Sequence, residues 1–236
     1  MVNNHANFKV EKMANFGTAE PWVSRIFLGL SDLINMLDET ADNKKAITDS
    51  IGEIFEELSL AFIALKKVKE LTNLKGAPVL ELKKEYSDLY DHSWRAYKDR
   101  FATACSKMGY DIGFLFKDDK KFKSESESFV RNYPDIKDGF IQMLNNDRLT
   151  WQNGLSDFRN MYIQHKQIGY EIESKYYNIK SAENMFSNVW QTIEDTLVLL
   201  IESQLKDPLV IIEIPEEERD KSCPKRFMIG LKNPPA

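Results

Sequence analysis

The feature that most constrains this chain is the spacing of its apolar residues, which recur at intervals of three and four over long stretches. Trp22, Ile26, Leu30, Leu33 and Leu37 form one such stripe, and residues so spaced share a face of an α-helix. Glu20-Pro21 suits its first turn, where a missing N–H costs nothing. A second helix is expected from about Lys45 to Asn73 through Ile47, Ile51, Ile54, Leu58, Ala61, Leu65, Val68 and Leu71, broken by Gly76-Ala77-Pro78. A third, over about 79–108, carries Leu82, Tyr86, Leu89, Tyr90, Trp94, Tyr97 and Phe101. This aromatic stripe suits a core face better than a platform for stacked bases. His92 lies off the stripe, between Asp91 and Ser93, and reads as solvated.

The stretch from Gly109 to Pro134 predicts a connection with a short polar helix. Its lysines, including Lys117, Lys120, Lys121 and Lys123, are balanced by Asp118, Asp119, Glu125 and Glu127 and read as a solvated face. A helix restarts after Pro134 with Ile136, Phe140, Met143 and Leu144 on one side. It continues to Leu155 and Phe158, with a kink expected near Asn153-Gly154. The last helix is expected over 181–205, capped by Ser181, with Met185, Val189, Ile193, Leu197, Leu200 and Ile201 inward. After Pro208 the β-branched run Leu209–Ile214 predicts a strand, returning through Arg226–Leu231. The expected organisation is a polar leader at 1–18, an up-and-down helical bundle at 19–207 and a C-terminal β-hairpin at 208–236. The fold class is mainly α.

Composition removes several kinds of chemistry. The chain has 236 residues, two cysteines and three histidines. Cys105 and Cys223 stand apart with no CxxC, which argues against a structural zinc site and for a reducing compartment. No metal and no cofactor is expected. The net charge of −5 opposes a generally basic nucleic-acid binder but leaves room for a local basic pocket. With no secretory signal and no apolar run of about 18 residues, a cytoplasmic protein without membrane attachment is expected.

One segment stands out chemically. In Ser156-Asp157-Phe158-Arg159-Asn160-Met161-Tyr162-Ile163-Gln164-His165, an Arg-Asn pair precedes a histidine. This resembles the Arg-x(4–6)-His signature of the HEPN superfamily, in which a polar residue, often Asn, follows the arginine. The context is similar too, because the segment follows one bundle helix and precedes a last long one. The resemblance covers about residues 20–206. It implies a metal-independent endoribonuclease that cuts RNA by attack of the ribose 2′-OH on the adjacent phosphate. Arg159 and His165 are then the catalytic pair, with Asn160 and Lys166 as substrate-binding residues. A histidine suits proton transfer near neutral pH, and a forked, permanent cation suits a phosphorane gaining negative charge.

On a regular helix Arg159 and His165 lie about 120° apart, so one helix does not readily aim both at one phosphate. Either the helix bends between them, or two copies meet; the resemblance implies a homodimer with a composite cleft. Toxin–antitoxin or phage-defence biology, with an antitoxin or other protein partner, is implied by the resemblance alone. Some toxin members carry a tyrosine two residues after the histidine, where this chain has Gln167. The stretch from Lys166 to Lys180 reads as an insertion. A non-catalytic bundle that binds RNA, a nucleotide or a protein is the alternative, and a helical dimer with Arg159 paired to a carboxylate such as Asp157 is a third.

Overall fold

The computed structural model describes residues 28–76, 78–136, 139–160, 177–219 and 225–232. The fold is mainly α with a small C-terminal hairpin. Helix α1 spans Leu30–Asn35 and buries Leu30, Leu33 and Ile34. Helix α2, Ala41–Asn73, is the longest; Thr40 caps it by accepting the N–H of Asn43 at 3.2 Å. Its buried face includes Ile47, Ile51, Ile54, Leu58, Ala61, Leu65 and Val68, as the spacing predicts. Helix α3, Val79–Trp94, returns antiparallel along α2 and runs without interruption into a π-helical turn, Arg95–Arg100, and then α4, Phe101–Lys107.

A short 3-10 turn, Gly113–Phe116, leads to α5, Asp119–Asn132, where Phe122 and Phe129 point into the core. The expected short polar helix is therefore a fourteen-residue amphipathic one. The next helix does not begin at Pro134. Ile136 sits in a turn, and α6, Phe140–Asp147, starts after Gly139, whose φ of 87° favours a residue without a side chain. Helix α6 passes through a second π-helical turn, Arg148–Gln152, into α7, Asn153–Phe158. The irregularity thus falls just before Asn153-Gly154. Helix α8, Ile179–Glu202, completes the bundle and starts earlier than expected. Its cap is Asn178, whose side chain accepts the N–H groups of Lys180 and Ser181; Ser181 lies in the first turn.

The core stripe holds from Tyr86 on: Tyr86, Leu89, Tyr90, Trp94, Tyr97 and Phe101 are buried, while Leu82 is half-buried against the core. His92 corrects the sequence reading. Its Nδ1 lies 2.7 Å from Glu57 Oε2, tying α3 to α2 in a partly buried contact. Strands β1, Leu209–Glu213, and β2, Phe227–Leu231, pair antiparallel with Ile211 opposite Ile229 and Ile212 opposite Met228. Ile211, Phe227 and Ile229 pack against the helical core. Gly230 admits the Ile212 side chain, which a Cβ at that position would strike. Arg226 fastens the hairpin to α8, donating to Asp195 at 2.5 Å and to Glu213 at 2.7 Å and lying 3.5 Å from buried Glu194. Among the described residues, no helix is long and apolar enough to cross a membrane.

Candidate functional site

Two π-helical turns, Arg95–Arg100 and Arg148–Gln152, face each other across the bundle. A π turn inserts a residue into the helical ladder, so its amides bond five residues back: Phe101 N–H donates to Ala96 and Asn153 N–H to Arg148. Such turns rotate the face that follows and often mark functional sites. Here a buried crosspiece joins them. Tyr97 Oη donates to Gln152 Oε1 at 3.1 Å, and Gln152 Nε2 donates to the Leu115 carbonyl at 2.6 Å. The Tyr97 ring packs edge-on against Trp151 at 4.8 Å. Burial holds the Tyr97 phenol well above its ordinary pKa, so it remains a donor.

Beside this crosspiece lies a polar cleft of about 380 Å³. One wall is the face of α7 and its continuation, with Gln152, Ser156, Arg159 and Asn160 at helical spacing. The other wall carries Trp94, Lys98, Phe116 and Lys117. Arg159 is partly exposed, and its guanidinium carbon sits 5.9 Å from the centre of the Trp94 ring. Its Nε is buried with no hydrogen-bond partner among the described residues. Lys98 Nζ lies over the same indole at 5.2 Å and 6.0 Å from Phe116. Each contact is a cation–π arrangement. Phe158, fully buried next to Arg159, stacks on Tyr90 at 4.1 Å and fixes where the arginine leaves the helix.

The charges around the cleft are not equivalent. Arg148 is buried and committed: it pairs with Asp119 at 2.6 Å, donates to the Lys117 carbonyl at 3.0 Å and lies 5.0 Å over Phe122. It braces the backbone at residue 117. Asp118 accepts the Lys121 N–H at 3.0 Å as the cap of α5, and that bond holds its carboxyl below the ordinary range. By contrast, Lys98, Lys117 and Arg159 form no ion pair among the described residues. Arg159 therefore does not pair with Asp157, which is exposed. Among the described residues three cations without an ion pair line the cleft with one carboxylate, a setting that attracts a small anion in a chain of overall negative charge.

The structure thus brings Arg159 and Asn160 to one cleft. His165 and Lys166 lie outside the described residues, as do Cys223, the leader 1–18 and most of the 166–180 insertion. Sequence reasoning missed Lys98, Lys117, Trp94 and Gln152. Lys98 carried one local signal, being four residues beyond a tryptophan on the same helix; Lys117 was hidden in a charge-balanced run. Among the described residues no group of three His, Cys, Asp or Glu side chains is placed to hold a metal ion. Compared with known proteins, the chain matches no family model, no curated protein and no solved structure.

Proposed function

We propose that this chain is a metal-independent endoribonuclease of HEPN type. The observation that carries the reading is the position of Arg159: its guanidinium edges a cationic cleft, its Nε is unpartnered among the described residues, and Asn160 shares the lining. An arginine so placed suits a phosphate whose non-bridging oxygens gain charge during transfer. In the proposed reaction a ribose 2′-oxygen bonds to the adjacent phosphorus while the bond from phosphorus to the 5′-oxygen breaks. One histidine accepts the 2′-OH proton and another returns a proton to the departing 5′-oxygen. A homodimer supplies both as two copies of His165, and Asn160 and Lys166 hold phosphate oxygens. The cytoplasmic setting, a toxin–antitoxin or phage-defence role and an antitoxin partner belong to the same reading.

The test is cleavage of varied single-stranded RNA in excess EDTA by the wild type, His165→Ala and Arg159→Ala. Loss of about a hundredfold or more is expected for each variant. Cleavage persisting unchanged in both would dismiss the site. Binding by folded wild type without any cleavage would instead leave a non-catalytic RNA-binding bundle.

A further inference from the structure

Lys98 and Lys117 stand outside the arginine–histidine motif yet share the cleft of Arg159. Lys98 Nζ and the Arg159 guanidinium lie 5.2 and 5.9 Å from one indole ring, so they are no farther apart than those two distances together. Two cations held on one ring can flank one phosphate or hold two neighbours along a single strand. Trp94 is 4% exposed and already approached by both cations, which leaves it no open face for a stacked base. Lys117 is exposed at the same cleft, its backbone held by Arg148 through the carbonyl, so its side chain is unengaged by that brace. A volume of about 380 Å³ accommodates a nucleotide or two but not a duplex.

We propose that Arg159, Lys98 and Lys117 form a phosphate track that binds single-stranded RNA by its backbone, without reading base identity. This rests on the RNA substrate of the reading above and extends the site beyond the motif. The track predicts sequence-tolerant, strongly salt-dependent binding.

The experiment measures anisotropy of a labelled 2′-O-methyl oligouridine of about ten nucleotides, which cannot be cleaved by 2′-OH attack, on the full chain over a range of sodium chloride. For a single strand each phosphate contact contributes about 0.7 to the slope of log affinity against log salt. Lys98→Ala and Lys117→Ala should each lower that slope by about 0.7 and weaken binding about five- to tenfold. Lys107→Ala, an exposed lysine away from the cleft, should change neither. Lys117→Glu supplies a second variant whose fold does not depend on the replaced side chain. Uridine monophosphate and inorganic phosphate serve as competitors and should displace the oligonucleotide only at far higher concentration; equal potency would reduce the track to a mononucleotide or phosphate pocket and overturn it. Wild-type slopes in Lys98→Ala, Lys117→Ala and Lys117→Glu would also overturn it, even where RNA cleavage by the wild type stands. Reduced slopes without any cleavage would sustain the track and remove the nuclease reading.

Discussion

Gln152→Leu is the substitution that should most clearly expose how the cleft is held together. Gln152 is 4% exposed, and its amide serves two buried groups at once, accepting from Tyr97 Oη and donating to the Leu115 carbonyl. Leucine is of similar volume, so the main effect is to strand those two partners. A buried polar group left unpaired costs about 1–3 kcal/mol, giving a loss of about 2–6 kcal/mol for the two. For a domain of this size the corresponding fall in Tm is roughly 4–24 °C. Tyr97→Phe alone strands the Gln152 Oε1 and should cost about 1–3 kcal/mol. In the double variant only the Leu115 carbonyl remains stranded, so the combined loss should fall short of the sum by about 2 kcal/mol or more. Urea denaturation followed by circular dichroism gives all four corners of the cycle. Strict additivity, or a loss below about 0.5 kcal/mol for Gln152→Leu, would refute the crosspiece.

Other outcomes follow from the same contacts. Asp118→Asn keeps the cap of α5 while removing the one carboxylate that lines the cleft among the described residues, so oligonucleotide affinity should rise severalfold with little change in Tm. Asp118→Ala should raise affinity similarly but lower Tm by about 2–4 °C; equal or weaker binding in both would count against the electrostatics. Phe158→Ala empties a fully buried site stacked on Tyr90 and should cost about 3–5 kcal/mol by denaturant titration. Arg226→Ala breaks the tie from the hairpin to Asp195 of α8 and the cross-strand bond to Glu213; a cost of about 2 kcal/mol and faster amide exchange across 209–231 are expected. Burial raises the Asp147 carboxyl above its ordinary range, although Thr192 donates to it at 2.9 Å. A raised carboxylate pKa disfavours the folded state wherever the group is ionised. Asp147→Asn should therefore gain Tm over the wild type at neutral pH, and the gain should vanish as the pH drops below the ordinary carboxylate range.

Much of the bundle is legible in sequence because helical cores repeat at a fixed period. The stripes through α2, α3 and α8 identify buried residues from Ile47 to Ile201, and the β-branched run at 209–213 identifies the first strand. What escapes is set by single interactions. A π turn leaves no pattern, since Arg95–Arg100 and Arg148–Gln152 differ from ordinary helix only in which carbonyl each amide meets. The start of α6 is decided by the positive φ of Gly139, although Pro134 gives the stronger signal for a helix start. His92 sits off the stripe yet meets Glu57, thirty-five residues away, which no local spacing reveals. The cleft follows the same rule. Arg159 and Asn160 are visible as a motif, whereas Lys98 and Lys117 become site residues only when the π turn after α3, the end of the 3-10 turn and α7 converge.

The chemistry of the RNA ends tests the central claim most directly. A uniformly labelled single-stranded RNA is incubated with the wild type in excess EDTA, and the products are resolved by mass spectrometry. Attack by the 2′-oxygen predicts 2′,3′-cyclic phosphate and 5′-hydroxyl ends, formed by the wild type and lost with His165→Ala and Arg159→Ala. Products bearing 3′-hydroxyl and 5′-phosphate ends, or cyclic ends produced equally by both variants, would contradict the account.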